Sequence, residues 1–211
     1  VLGTPLNNIK RINNKLKLYA FLKKNKIQTP YSQSFSNFFK KKIKKFPFII
    51  KKVYGQSSDG VFVVKKIQDW KNFLQYKKNN QKYFYQDYLQ GNEYGLDIIN
   101  DYKRNLIGVL ARKKIMMKNG ETKKAKILSS KPFLHIAKKI SKAVNHVGLI
   151  DIDAIKKKKN IYIIDVNCRF GGGYKLSHAA GANVPEVLIK MLKNQKYSIK
   201  NFLSSQITRN S

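Results

Sequence analysis

Cysteine is all but missing from the 211 residues: Cys168 stands alone, so no disulfide can close within the chain and no zinc site can be built from thiolates. Disulfide-stapled secreted classes are excluded with it. No apolar run approaches the ~18 residues that read as a membrane span. The opening VLGTPLNNIKR has no apolar centre of the kind a signal peptide needs, so the chain reads as soluble and cytoplasmic. Acidic residues are scarce, 11 against 44 basic, which leaves a formal net charge of +33. Such a balance first suggests a polyanion partner, nucleic acid or an anionic membrane surface. Arginine is scarce too. It supplies five of the 44 basic residues, whereas bidentate phosphate and base-edge readout favour it over lysine. The lysines are scattered, with runs at Lys40–Lys42 and Lys156–Lys159, rather than gathered on one tail. Nucleic acid is not excluded by this pattern, but a solvated lysine-rich surface explains it as well.

What is present is enough apolar and aromatic surface for one core, or for two small lobes sharing a cleft. Apolar positions over 12–26 repeat at helical spacing and stop before Pro30. Residues 46–65 give two β-rich runs around GQSSDG, a hairpin with a glycine-bounded tip. A helix around Trp70 and Phe73 follows, then strands over 83–89, 93–100 and 106–117, with a turn at NGET. Residues 131–147 read as a helix ending near Gly148. LIDIDAI (149–155) and IYIIDVN (161–167) form a second hairpin around KKKKN, and Pro185 suits the first turn of a last helix over 185–193. The order is α+β with mainly antiparallel pairing.

The few acids are the sharper clue, because six of them fall in two short stretches: Asp87, Glu93 and Asp97, then Asp151, Asp153 and Asp165. Alternation along strands puts Asp151 and Asp153 on one face, and Ile163, Asp165 and Asn167 on one face of the next strand. With the tip near Lys158, Asp153 falls close to opposite Asp165, where like charges repel. A divalent cation resolves the conflict, since two carboxylates and the Asn167 carbonyl make a hard oxygen set suited to Mg²⁺. Arg169, two residues on, would face the same cleft and clamp a developing phosphoryl charge. The first hairpin offers the complementary half: small residues with free N–H groups at its tip form an anion nest, and Lys51 just before it would neutralise phosphate charge. Neither a GxxxxGK[ST] loop nor a GxGxxG fingerprint is present. His135, His146 and His178 are too widely spaced for a local metal motif, and Cys168 has no histidine near it in sequence; all four are expected to be structural.

Taken in order, FPFIIKKVYGQSSDGV, YQDYLQGNEYGLDI, ARKKIMMKNGETKKA, and GLIDIDAI with IYIIDVNCRFGGGYKLSHAAGANVP resemble an ATP-grasp domain over about residues 12 to 193. The carbamoyl-phosphate synthase large-subunit-like branch is the nearest resemblance. It implies two α+β lobes with mainly antiparallel sheets gripping ATP between them: about 12–85 with the glycine-rich hairpin, about 86–205 with the metal-binding hairpin. It further implies an ATP- and Mg²⁺-dependent ligase, Mn²⁺ being the alternative metal. Such a ligase activates a carboxylate as an acyl phosphate for attack by an amine or thiol, with carbon–nitrogen bond formation favoured.

Residue by residue, the resemblance gives Lys15 and Lys51 to the ATP phosphates, with Gly55, Gln56, Ser57 and Ser58 as the turn that covers them. Gln86, Asp87, Tyr88 and Leu89 would read the adenine edge from the strand linking the lobes, and Glu93 the ribose. Asp153, Asp165 and Asn167 would hold metal, and Arg169 with Lys51 would serve catalysis. Arg112 and Gly171, Gly172 and Gly173 would face the acceptor. The family usually has glutamate where Asp165 stands, which leaves one metal or two open. Members of the branch carry an N-terminal α/β domain before the segment equivalent to Leu16. Residues 1–211 lack it, so the chain is expected to be an ATP-binding fragment, which alone would bind nucleotide without turnover. The carboxylate, the nucleophile and the oligomeric state stay open. So do two alternatives on the same fold, a lysine-rich polyanion-binding module and a non-catalytic nucleotide sensor.

Overall fold

An asparagine side chain accepts hydrogen bonds from nearby backbone N–H groups, so it starts helices more readily than it continues them. Asn14 does this inside the stretch expected to be one helix. In the computed structural model, which describes residues 3–39, 46–55, 60–77, 82–118, 120–199 and 206–208, Asn14 is extended (φ −96°, ψ 109°) and its side chain accepts the Lys17 N–H at 3.0 Å. Two helices result, α1 (Leu6–Asn13) and α2 (Lys15–Lys24), the first of which the sequence reading did not foresee. The chain continues through β1 (Ser32–Ser34), α3 (Phe35–Phe39), β2 (Phe48–Lys52), β3 (Val61–Val64), α4 (Ile67–Tyr76) and β4 (Tyr83–Asp87). Then come β5 (Asn92–Asn100), β6 (Leu106–Lys118), β7 (Glu121–Leu128), a 3-10 turn (Lys131–Phe133), α5 (Leu134–Val144), β8 (Gly148–Lys157), β9 (Asn160–Asn167), α6 (Tyr174–Ala179), α7 (Val184–Leu192) and β10 (Gln206–Thr208).

The strands form two sheets of order β1-β4-β2-β3 and β10-β7-β6-β5-β8-β9, antiparallel at every described pairing. The fold is α+β. Aromatic rings cement the smaller sheet to α3 and α4: Phe38, Phe48, Trp70, Phe73 and Tyr83 are buried together, with Phe38 stacked on Tyr85 at 4.4 Å. Pairs of this kind add roughly 0.5–1.5 kcal/mol each beyond their buried area. The larger sheet is covered on one face by α1, α2 and α5, through Ile12, Leu18, Leu22, Ile136 and Ile140 packed on Leu96, Ile98, Ile150 and Ile152. On the other face Val184, Val187, Leu188 and Met191 cover Ile99, Leu110 and Leu149. No helix among the described residues is long and apolar enough to cross a membrane.

The second hairpin departs from simple alternation at one place. Asp153 pairs with Asp165, but Ala154 pairs with Ile163, so Ile164 is an inserted residue. A one-residue bulge reverses the parity of everything beyond it. Ile163 therefore packs in the core beside Ala154, on the face opposite Asp165 rather than with it, and the expectation that the two share a face is corrected.

His146 lies fully buried between α5 and β8, with Nε2 3.1 Å from the Ile98 carbonyl and Nδ1 unpartnered among the described residues. Burial pushes its pKa down to about 4, against a smaller upward pull from the Ile98 carbonyl. The folded value thus lies below the unfolded one, so this stabilisation is complete above pH 6.5 and is lost as pH falls toward 4. From pH 7 to pH 5 the loss should be about 2 kcal/mol. Asp151, whose carboxyl is raised to about 7 by burial and by Asp153 and Asp97, works in the opposite sense over the same window. Urea unfolding of the parent and of His146→Gln at both pH values isolates the histidine contribution. The parent is expected to lose about 2 kcal/mol more than the variant; equal losses would show that His146 does not titrate between the two states.

Candidate active site

Because side chains alternate, the face of the larger sheet that turns toward the smaller one is set by which residues are not in the core. On β5 these are Glu93, Gly95 and Asp97; on β6, Arg112 and Lys114; on β8, Asp151 and Asp153; on β9, Asp165 and Asn167. The register lines them up: Asp97 opposite Asp151, Asp151 opposite Asn167, Gly95 opposite both Arg112 and Asp153, and Asp153 opposite Asp165. A polar layer results, which gathers five of the 11 acids the chain possesses.

The smaller sheet supplies the facing wall. Lys51 on β2 and the backbone past β4 open onto the same cleft, a cavity of about 540 Å³ between the sheets. Of the expected site residues, Lys15, Lys51, Gly55, Gln86, Asp87, Tyr88, Leu89, Glu93, Arg112, Asp153, Asp165, Asn167, Arg169, Gly172 and Gly173 line it. Gly171 does not; it lies beneath, where a Cβ would collide with the Asp151 carboxyl, so only glycine fits. Gln56, Ser57 and Ser58 lie outside the described residues. Apolar walls come from Ile49, Val61, Val63 and Ile155, and from Met117 on β6. Gln86 is buried, its side chain donating to Ser32 Oγ at 3.1 Å, which leaves the following residues to link the sheets.

The carboxylates are neutralised by lysines. Lys15 Nζ contacts Asp165 Oδ1, which also accepts the Val166 N–H at 2.8 Å. Lys114 Nζ lies 2.6 Å from Asp153 and 3.8 Å from Glu93. Burial opposes the Lys114 charge, but Asp153, Glu93 and Asp151 outweigh it and raise its pKa. Lys51 shifts the other way: burial lowers it and Lys15 adds to that, against the pull of Asp165, Asp153 and Glu93. Lowering makes Lys51 a cation that gains from any added negative charge.

Deeper in the cleft Arg112 is 2% exposed. Its guanidinium reaches Asp97 through both Nη atoms, Ser177 Oγ at 2.8 Å and Asp151 at 3.4 Å. Burial alone would disfavour the charge; Asp97, then Asp151 and Asp153, hold the pKa above its usual value. The group slides between two glycines, since a Cβ on Gly95 would lie 3.0 Å from Nη2 and one on Gly173 3.2 Å from Nε. Arg112 thus lines the deep end of the cleft while its Nη atoms are engaged by protein groups. Arg169 is exposed at the cleft mouth, and its Nη1 donates to the Phe170 carbonyl at 2.9 Å.

Sequence reasoning singled out neither Lys114 nor the Asp97–Arg112–Asp151 network. The parity of ARKK in β6 carries Arg112 and Lys114 to one face, but only the β5–β6 register shows which acids they meet. For a metal, the donor set fits. Among the described residues no group of three His, Cys, Asp or Glu side chains is placed to hold an ion; Asp153 and Asp165 face one another across the hairpin, so an ion there would have to draw its third protein oxygen from Asn167, on the same face. Its Nδ2 donates to Asp151 at 3.2 Å, which directs its carbonyl oxygen away from that partner.

Comparison with known proteins agrees with the architecture. The family profile described as an ATP-grasp domain matches residues 12–173. A D-alanine–D-alanine ligase of Petrotoga mobilis is 26% identical over 172 residues, 71% of this chain and 57% of that protein. Among solved structures, N5-carboxyaminoimidazole synthetase from Staphylococcus aureus, complexed with ADP, superposes with a TM-score of 0.81 at 13% identity, covering 98% of this chain and 58% of that one. L-amino acid ligase from Bacillus licheniformis superposes at 0.66 with 20% identity, over 92% of this chain and 50% of the other. The chain therefore spans between half and three-fifths of the length of these relatives, 50% to 58%. With two antiparallel sheets closing on one lysine- and acid-lined cleft, and a profile match over most of its length, the chain belongs to the ATP-grasp family.

Proposed function

We propose that this chain is the nucleotide-binding part of an ATP-dependent ligase that activates a carboxylate by phosphoryl transfer. The observation that carries the reading is the register that sets Asp153 opposite Asp165, with Asn167 beside them, across a cleft from Lys51. In this reading the adenine lies against Ile49, Val61, Val63 and Met117 at the linker 86–89, and Glu93 receives the ribose. Lys15, Lys51 and the glycine-bounded segment 55–60 hold the phosphates. Asp153, Asp165 and Asn167 hold Mg²⁺, which when bound neutralises charge on the phosphates. Arg169, at the cleft mouth, stabilises charge on the transferred group, and the Gly171–Gly173 segment borders the acceptor. The acceptor carboxylate attacks the γ-phosphorus and ADP departs; the resulting acyl phosphate is then captured by an amine or another nucleophile, releasing phosphate. No side chain has to form a covalent intermediate, since positioning and charge neutralisation suffice. The motifs favour the carbamoyl-phosphate synthase-like branch and carbon–nitrogen bond formation.

Thermal unfolding tests the nucleotide reading without knowledge of the acceptor. Saturating Mg·ATP, at about 100 times its Kd, should stabilise the fold by about 2.7 kcal/mol, a rise of about 5–10 °C for a chain of this size. ATP with EDTA should give a smaller rise. A second reading is favoured by the placement of charge: with Asp87, Glu93, Asp97, Asp151, Asp153 and Asp165 gathered at the cleft, the outer surface is left overwhelmingly to lysine. A polyanion-binding module predicts no Mg·ATP shift, together with DNA or anionic-vesicle binding that collapses steeply with salt.

A further inference from the structure

Three lysines and three carboxylates crowd the centre of the cleft and satisfy one another. Lys15 contacts Asp165, Lys114 spans Asp153 and Glu93, and Lys51 lies within electrostatic reach of all three acids. These pairs are partly sheltered: the Lys15 and Lys114 side chains are 15% and 11% exposed, against 25% for Asp165, 28% for Asp153 and 47% for Glu93. They arise from separate elements, Lys15 at the start of α2 and Lys114 on β6, yet both end on the hairpin β8–β9. Shielded pairs of this kind are screened less than exposed ones, and removing one partner leaves the other charge uncompensated.

We infer that Lys15 and Lys114 are resident counter-ions that exclude free divalent cations from Asp153 and Asp165 until a nucleotide arrives. The inference rests on the metal reading above and adds an order of events to it. A free cation entering the hairpin must displace an ammonium group from each carboxylate and leave two lysines unpaired in a sheltered cleft. A nucleotide changes that balance, because its phosphates accept the displaced ammonium groups while the cation takes their places on the carboxylates. Lys114 is well placed for the exchange, since Glu93 can retain it after Asp153 is lost as a partner. Metal and nucleotide are thus admitted together, and neither the carboxylates nor the lysines are left bare at any stage. Lys114 acts in this as a counter-ion to Asp153 and does not touch the reacting atoms.

Mn²⁺ alone is the probe, followed by the loss of its free-ion electron paramagnetic resonance signal on titration into the nucleotide-free chain. The parent chain is expected to bind it weakly. Lys114→Met and, separately, Lys15→Met should bind it roughly tenfold or more tightly, because a cationic competitor has been removed. Lys114→Arg, which keeps the charge, should behave as the parent. Circular dichroism melts verify that each variant is folded; the two methionine variants lie on different elements, so one failing to fold leaves the other decisive. If the parent binds Mn²⁺ as tightly as the methionine variants and Asp165→Asn abolishes that binding, the counter-ion role is overturned while the metal site stands. If Mn²⁺ binding in the methionine variants is indifferent to Asp153→Asn and Asp165→Asn, the metal reading falls and the inference falls with it.

Discussion

Replacing Asp165 or Asn167 by alanine is expected to lower Mg²⁺-dependent ADP release by two orders of magnitude or more in the complete protein, a loss of at least about 2.7 kcal/mol in transition-state stabilisation. Both side chains project from the cleft face of β9, whereas the residues that hold this strand in the core, Ile163 and Val166, project from the other. Either substitution should therefore leave the fold intact. Asp165 is a quarter exposed, and its removal leaves Lys15 without that partner but with part of its side chain still open to solvent. Asn167→Ala removes the neutral member of the proposed donor set and the amide that donates to Asp151, so it tests that set without changing its charge. Steady-state ADP release is the measurement, with melting temperature as the control for folding. Unchanged turnover in a folded Asn167→Ala or Asp165→Ala protein would remove the metal assignment. The inference about Lys15 and Lys114 would lose its footing with it.

The hairpin behind this prediction was legible in outline, because two β-rich strands flank a polar tip and so bring Asp153 close to opposite Asp165. The pairing itself depends on the bulge, since the register at the tip, carried on unbroken, would set Ile164 opposite Asp153. Ile163 was misplaced because a bulge leaves no trace in hydrophobic alternation: Ile163 and Ile164 are chemically equal, and pairing across the sheet decides which turns inward. The strand β7 was missed for a different reason. Its buried residues Thr122, Ala125 and Ile127 are small or few, and the lysines between them make the segment look like an extended turn. The helices α1 and α6 are short, and α6 lies within a glycine-rich stretch that reads as loop, though its Ser177 anchors Arg112. Lys114 and Asp97 show the general limit. Local pattern tells which way a side chain points, but what it meets depends on pairing between strands far apart in sequence, and that information is spread over the whole chain.

The largest effect on stability should come from Arg112. Arg112→Met keeps the length and apolar stem of the side chain while removing the charge that Asp97 and Asp151 share. Asp97 is fully buried and contacts the guanidinium through both oxygens, so the variant leaves a carboxylate without its cation inside the sheet. Breaking a buried pair in this way typically costs about 3–5 kcal/mol, which for a chain of this size lowers the melting temperature by on the order of 10 °C. The penalty should fall on the carboxylates rather than on lost packing, and a double-mutant cycle separates the two. Asp97→Asn combined with Arg112→Met should recover about 2 kcal/mol of the loss, because a neutral amide is far cheaper to bury than an unpaired charge. Urea unfolding of the four proteins at pH 7 gives the coupling directly. A coupling near zero would mean that the loss comes from the cavity between Gly95 and Gly173 instead. If the coupling is large, the deep end of the cleft is built on a closed charge network: Arg112 fixes Asp151, Asp151 receives Asn167, and Gly171 and Gly173 pack against this network because neither carries a side chain, a Cβ on Gly171 falling on the Asp151 carboxyl and one on Gly173 lying 3.2 Å from Arg112 Nε.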